Sequence, residues 1–170
     1  ASADVEGFDD QYYFGRRANG FYIPRYRNVG KDKRDYIRGF GYQGSASRQG
    51  WSSAVAELSI GADLKNVVSK PGKWTVGMGG FGEILPYHEN FVVINKEKKD
   101  KYGLPTLTFD AVLRDNEFKM RKDMAADAAE MLEASGFKNV KTSDREIGIG
   151  LGIHEMGTAR MGKDSKTSVL

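Results

Sequence analysis

At 170 residues, with 39% hydrophobic and 29% charged side chains and a net charge of +3, the chain has the size and balance of one globular domain. The absence of cysteine excludes disulfides, thiolate-bound zinc and thiol catalysis. So small a charge gives no ground for nucleic-acid binding, and no apolar run reaches the ~20 residues of a membrane span.

Residues 1–18 are acidic, then aromatic, without a clear period. "GFYIPRYRN" (Gly20 to Asn28) reads as a short extended segment, and Pro24 assigns it to an edge or a strand end. "KDKRD" is a solvated turn, and "YIRGFGYQGSASRQGW" alternates aromatic with small residues, as a strand with close backbone neighbours does. Residues 52–68 have the pattern of a broken helix. "GKWTVGMGGFGEIL" is a second glycine-rich strand. "NFVVIN" and "PTLTFDAVL" are strands joined by the charged connection "KEKKDKYGL". From Asn116 to Ser135, Met120, Met124, Ala128, Met131 and Leu132 recur at helical spacing. That predicts a long helix with Asn116 as N-cap and Gly136 just past its end. "VKTSDREIGIGLGIHEMG" opens with a short strand and dissolves into glycines. The order predicts an α+β fold: a mostly antiparallel sheet, one long helix and further helices packed on it.

Two motifs invite a chemical reading that their context opposes. "GMGGFG" (Gly77 to Gly82) satisfies G-x-G-x-x-G, which works by seating pyrophosphate on the N-terminus of a helix. Here "EILPYHENF" follows, with a proline and no helix, so the match is a glycine-rich strand. "RGFGY" (Arg38 to Tyr42) opens like an RNA-stacking motif. Gln43 and Ser45 break the pattern, and the eleven residues Arg27 to Ile37 leave no room for the helix and strand required upstream. The better reading of these aromatics is packing between layers. His88 lies in a polar connection and has no assigned role. Two distant histidines without cysteine make no metal site.

The stretch with most chemical character is "GIGLGIHEMGTARMGKD". Its glycines, at 148, 150, 152, 157 and 162, rule out a stable helix or an ordinary strand. Imidazole takes up and returns a proton near neutral pH, so His154 reads either as a catalytic base or as a structural residue of a tight turn. His154-Glu155-Met156-Gly157-Thr158-Ala159-Arg160-Met161-Gly162 resembles the H-x-x-G-T-x-x-M-G signature of the glucose–methanol–choline (GMC) flavin oxidoreductases. "FYIPRYRN…RGFGYQG" and "ENFVVINKEKKDKYGLPTLTFDAVLRDNE", with its Asp-x-x-Gly-x-Pro hairpin, resemble the substrate domain of bacterial members.

The resemblance carries several expectations. Residues 1–170 are the greater part of a substrate domain. The FAD-binding domain and the extreme C-terminal segment, which bears an Asn-Pro or second-histidine element, lie outside them. His154 is the catalytic base, and Gly157 and Thr158 line the flavin side. FAD is the cofactor of the full-length parent, while this fragment alone binds it weakly and is inactive. The substrate is an alcohol group of a sugar, glucoside or polyol. Further partners are the FAD-binding domain of the same chain and a redox acceptor protein, with no nucleic acid and no membrane span. The compartment is open between bacterial cytoplasm and periplasm. The competing expectation is a stand-alone carbohydrate-binding or scaffolding module with an aromatic face.

Overall fold

The computed structural model describes residues 1–7, 20–49, 61–69, 72–144, 148–157 and 159–169. Among the described residues seven strands and two helices follow one another: β1 (Ser2–Val5), β2 (Phe21–Ile23), β3 (Phe40–Arg48), α1 (Ala62–Ser69), β4 (Trp74–Gly82), β5 (Phe91–Lys99), β6 (Pro105–Asp110), α2 (Asp115–Ala134) and β7 (Lys138–Lys141). All strand pairs are antiparallel, and the long helix is present, so the expected α+β class holds. Contacts divide the described chain into two units, residues 1–83 with 119–144 and residues 84–118 with 145–170.

The first unit is a five-stranded sheet in the order β2-β3-β4-β1-β7 with α2 on one face. Alternation along the strands decides what faces the helix. Phe40, Tyr42, Val76, Met78 and Ala3 point to Met120, Ala128 and Leu132, and together they form the buried core. Glycine lets the layers approach. A Cβ at Gly80 would lie 2.3 Å from Met124 Sδ, and one at Gly82 would lie 3.0 Å from Met120 Sδ. Phe40 and Tyr42 meet edge to face at 5.5 Å, so these aromatics do pack between layers. "GMGGFG" lies within β4 and opens no helix.

On the opposite face stand Tyr22, Gly41, Gln43, Ser45, Ser47, Thr75, Gly77, Gly79 and Phe81. Here two glycines have no packing reason. Among the described residues a Cβ at Gly77 would meet nothing within 4 Å, and one at Gly79 only the Gln43 carbonyl at 3.8 Å. Each weakens the strand by roughly 0.5–1 kcal/mol relative to alanine.

Both ends of α2 are built from local rules. At the C-terminus Gly136 has φ +81°, its N–H donates to Glu133, and the Phe137 N–H donates to Leu132. These are the two hydrogen bonds of a Schellman stop, as expected for Gly136. The start departs from expectation. The helix begins at Asp115, ahead of Asn116, and the capping carboxylate is Glu117, which accepts the Arg114 N–H at 2.9 Å. An acidic residue at the third helical position reaches back to the N–H of the residue that precedes the helix, a different orphan donor from those an Asn116 cap would take.

In the second unit β5 and β6 form a two-stranded ribbon. The strand β5 runs on to Lys99, so most of "KEKKDK" is strand rather than connection. The Asp-x-x-Gly-x-Pro element is the turn itself. Asp100 Oδ1 accepts the Tyr102 and Leu104 N–H groups, Gly103 takes φ +83°, and Pro105 opens β6, a first position that needs no donor.

Candidate active site

Residues 148–157 and 159–169 follow no regular element, and their path is set by three positive φ angles. Gly150 has φ +89°, Ile153 +69° and Gly157 +112°. Glycine takes such angles freely, whereas a β-branched residue there stores roughly 1–3 kcal/mol of strain. Ile153 directly precedes His154, so the strained bend is the one that aims the imidazole. Glu155 holds the bend: its Oε1 accepts the Gly152 N–H at 2.6 Å, a charge-assisted bond spanning the Ile153–His154 peptide. Sequence reading gave Glu155 no role, because a carboxylate folded onto a backbone amide three residues back leaves no pattern.

His154 is exposed, and its neighbours Ile153 and Met156 are 89% and 91% exposed. Leu151 and Met161 on the same strip are open as well. A histidine framed by open apolar side chains is suited to lie against a flat, largely apolar group. Gly157, three residues on, presents bare backbone, and among the described residues nothing lies within 4 Å of where its Cβ would be. Thr158 lies outside the described residues.

Gly162 has a different reason to be glycine. A Cβ there would sit 2.4 Å from the Ser168 Cβ. Asp164 brings Ser168 back: its carbonyl accepts the Ser168 hydroxyl at 2.8 Å and the Thr167 N–H at 3.0 Å. One glycine of the signature thus serves backbone torsion and the other close approach.

The carboxylate that organises the rest of the second unit was not singled out from sequence. Glu117, 2% exposed, accepts the Leu85 N–H, the Tyr87 hydroxyl and the Arg114 N–H. Burial pushes its carboxyl up, but these donors outweigh that, and its pKa falls below the usual value. The Tyr87 hydroxyl is pushed up, first by burial and then by this hydrogen bond. The available signal was an acidic residue in the first turn of a strongly periodic helix. His88 directly follows Tyr87 in a polar loop but joins neither group. Among the described residues no group of three or more His, Asp or Glu is placed to hold a metal ion, and no helix is long and apolar enough to cross a membrane.

The family model of GMC oxidoreductase matches residues 86–170, half of the chain. The chain belongs to the GMC oxidoreductase family. No curated protein and no solved structure matches it. The match takes in the ribbon, the whole of α2 and the His154 strip, and it makes the region a substrate domain of flavin oxidoreductases.

Members of this GMC family are generally FAD-dependent, and the residues here fit one half of that group. The ring half suits the strip, where His154, Met156 and the bare backbone of Gly157 are open. The diphosphate half finds no counterpart among the described residues, since the glycine-rich dinucleotide pattern at 77–82 lies within β4 and opens no helix.

Proposed function

We propose that this GMC domain serves an enzyme that oxidises an alcohol group of a sugar, glucoside or polyol, with His154 as general base. The observation that carries the reading is the exposed imidazole of His154 on a strained turn, framed by open apolar side chains and followed by the Gly157 backbone. His154 takes the proton of the substrate hydroxyl as the carbon gives up its hydrogen with two electrons and becomes a carbonyl. Bound FAD supplies the two-electron acceptor. Glu155 keeps the turn in shape, and Gly157 and Thr158 line the side toward the flavin. A base positioned in this way contributes about 10²–10⁴-fold.

The FAD-binding domain and the group that shares the substrate with His154 belong to residues outside 1–170. The isolated chain is accordingly folded, colourless and inactive. Oxygen, a quinone or a redox acceptor protein such as a cytochrome takes the electrons onward in the intact enzyme.

The test is the visible spectrum of the flavoenzyme that carries this domain, mixed anaerobically with hexoses, glucosides and polyols. Bleaching by one of them, slowed by about 10²–10⁴-fold in His154→Ala, supports the reading. Equal rates in wild type and variant remove His154 from the chemistry. Tight FAD binding by residues 1–170 alone overturns the division of labour.

A further inference from the structure

Among the described residues the ribbon of β5 and β6 leaves a whole apolar face open. Register sets Val92 opposite Phe109 and Ile94 opposite Leu107, so alternation places all four on one side. Ile94, Leu107 and Phe109 are each more than half exposed. The other side is mixed: Phe91 and Val93 share it with Asn95, Thr108 and Asp110, and the Asn95 amide donates to the Thr108 hydroxyl at 2.9 Å. A two-stranded ribbon is marginal in water by itself and gains stability when such a face is covered. Contiguous open apolar side chains of this kind mark a contact surface.

The far end of the ribbon indicates what covers it. Lys96, Lys98, Lys99 and Lys101 are all exposed there, and Tyr102 and Leu104 stand out from the turn at 76% and 62% exposure. Of the two carboxylates among them, Asp100 folds onto the turn, its Oδ1 accepting the Tyr102 and Leu104 N–H groups. The Lys101 ammonium lies 4.9 Å from the Tyr102 ring centroid, so cation and aromatic act from one point. The complement of this surface is negative outside and apolar beneath, which describes an acidic protein patch or an anionic bilayer. The cations decide between them. All four are lysine, and no arginine occurs in residues 91–110. Protein interfaces favour arginine, whose planar fork fixes a carboxylate, and are depleted in lysine. A lysine stem lies along apolar surface while its ammonium stays among mobile phosphates. Tyrosine suits the same boundary, with its ring in the apolar layer and its hydroxyl wet.

We propose that the ribbon docks on an anionic lipid surface, with its apolar face and the Tyr102–Leu104 turn at the acyl boundary and the four lysines among the headgroup phosphates. Contact of this kind needs no spanning segment. It adds a place of work to the oxidoreductase reading and uses neither flavin nor His154.

The experiment is co-sedimentation of the 170-residue chain with vesicles of pure phosphatidylcholine and of equal parts phosphatidylcholine and phosphatidylglycerol. Partitioning onto the mixed vesicles is expected to exceed that onto the pure ones by about tenfold or more and to weaken with added salt. Lys98→Gln combined with Lys99→Gln should lower it by about tenfold or more, since each lysine near such a surface contributes about fivefold. Tyr102→Ser combined with Leu104→Ser should also lower it by about tenfold or more. Urea midpoints should stay the same in both variants, because the replaced side chains are exposed. Equal binding to the two vesicles, unchanged partitioning in either variant, or no sedimentation overturns the proposal. Retention on immobilised polyglutamate without vesicle binding gives the lysines to an acidic protein instead. A dimer that Phe109→Ser dissociates, again without vesicle binding, gives the face to a second copy of the chain. The flavin-bleaching test reads His154 separately, so failure here leaves that result standing.

Discussion

Arg27 grips Asp127 with two parallel hydrogen bonds, Nε to Oδ2 and Nη2 to Oδ1, each 2.6 Å long. The Tyr26 hydroxyl donates to the same Oδ2 at 2.6 Å. The segment after β2 is thereby fixed to α2 across about a hundred residues of sequence, and Asp127 is only 5% exposed. Beside it Tyr36 donates to Asp123, and Asn28 gathers the loop by accepting the Arg34 N–H and donating to the Tyr36 and Arg38 carbonyls.

Removing one partner should show how much this latch carries. Asp127→Ala leaves a guanidinium and a hydroxyl facing an empty acceptor site, and breaking a buried pair in that way costs roughly 3–5 kcal/mol. Arg27 is 23% exposed and has Asp32 at 3.5 Å as a second carboxylate, so the expected loss lies near about 3 kcal/mol. Urea unfolding of the 170-residue chain measures it. A loss under about 1 kcal/mol would mean water replaces the latch.

The same groups give the stability a pH profile with two flanks. Burial pushes Asp127 up, but the hydrogen bonds from Arg27 and Tyr26 outweigh it and lower its pKa. Glu117 is lowered as well. Their contribution is complete above the unfolded carboxylate value of ~4 and lost as pH falls through the lower folded values. Tyr26 moves the other way, pushed up to about 12 by burial and then by its bond to Asp127. Its contribution is complete below the unfolded value of ~10 and lost as pH rises toward about 12. Urea midpoints should thus be flat between the two flanks. Tyr26→Phe should make the alkaline flank shallower, with Tyr87 still contributing to it, and should weaken the acid flank too, because Asp127 loses one of the donors that lower it. An unchanged alkaline slope would remove Tyr26 from that flank.

Glu117 offers a test of where α2 is capped. Glu117→Ala strands the Leu85 and Arg114 N–H groups and the Tyr87 hydroxyl, each a part-buried donor whose loss costs about 1 kcal/mol or more. Asn116→Ala, at the position that the residue preference favours, should cost under about 0.5 kcal/mol. Amide exchange would place the first effect at residues 85–87 and 114–118. Reversed magnitudes would restore Asn116 as the cap.

What sequence made legible follows from how local each feature is. The Gly136 stop, the Asp100–Gly103–Pro105 turn and the apolar stripe of α2 depend on a few adjacent residues, and each was expected. So was the alternation that buries Phe40 and Tyr42. The strand β1 was not, because "SADV" has little β preference of its own and becomes a strand by lying between β4 and β7. Period 2 gives alternation but not which face receives the helix, so it did not single out Tyr22 and Phe81 as exposed. At the candidate site His154 and its glycines were visible as a signature. The strain at Ile153 and the Glu155–Gly152 bond were not, because a torsion angle leaves no mark on a residue type that ordinarily avoids it. The latch of Arg27 and Asp127 joins positions too far apart in sequence for any pattern.

The strained turn yields the sharpest prediction about function. If Ile153 is held at φ +69° to aim His154, then Ile153→Gly relieves the strain while loosening the aim. The variant should be no less stable than wild type, yet flavin reduction in the intact enzyme should slow, since a misplacement of ~1 Å at a catalytic group costs about 10²-fold. Glu155→Gln keeps an acceptor for the Gly152 N–H and should retain most of the rate, whereas Glu155→Ala should resemble Ile153→Gly. Gly157→Ala acts by the opposite route, forcing a side chain into φ +112° and reshaping the backbone beside His154. It should lose both stability and rate. A full rate in Ile153→Gly would show that the turn serves packing alone and that His154 finds its geometry elsewhere.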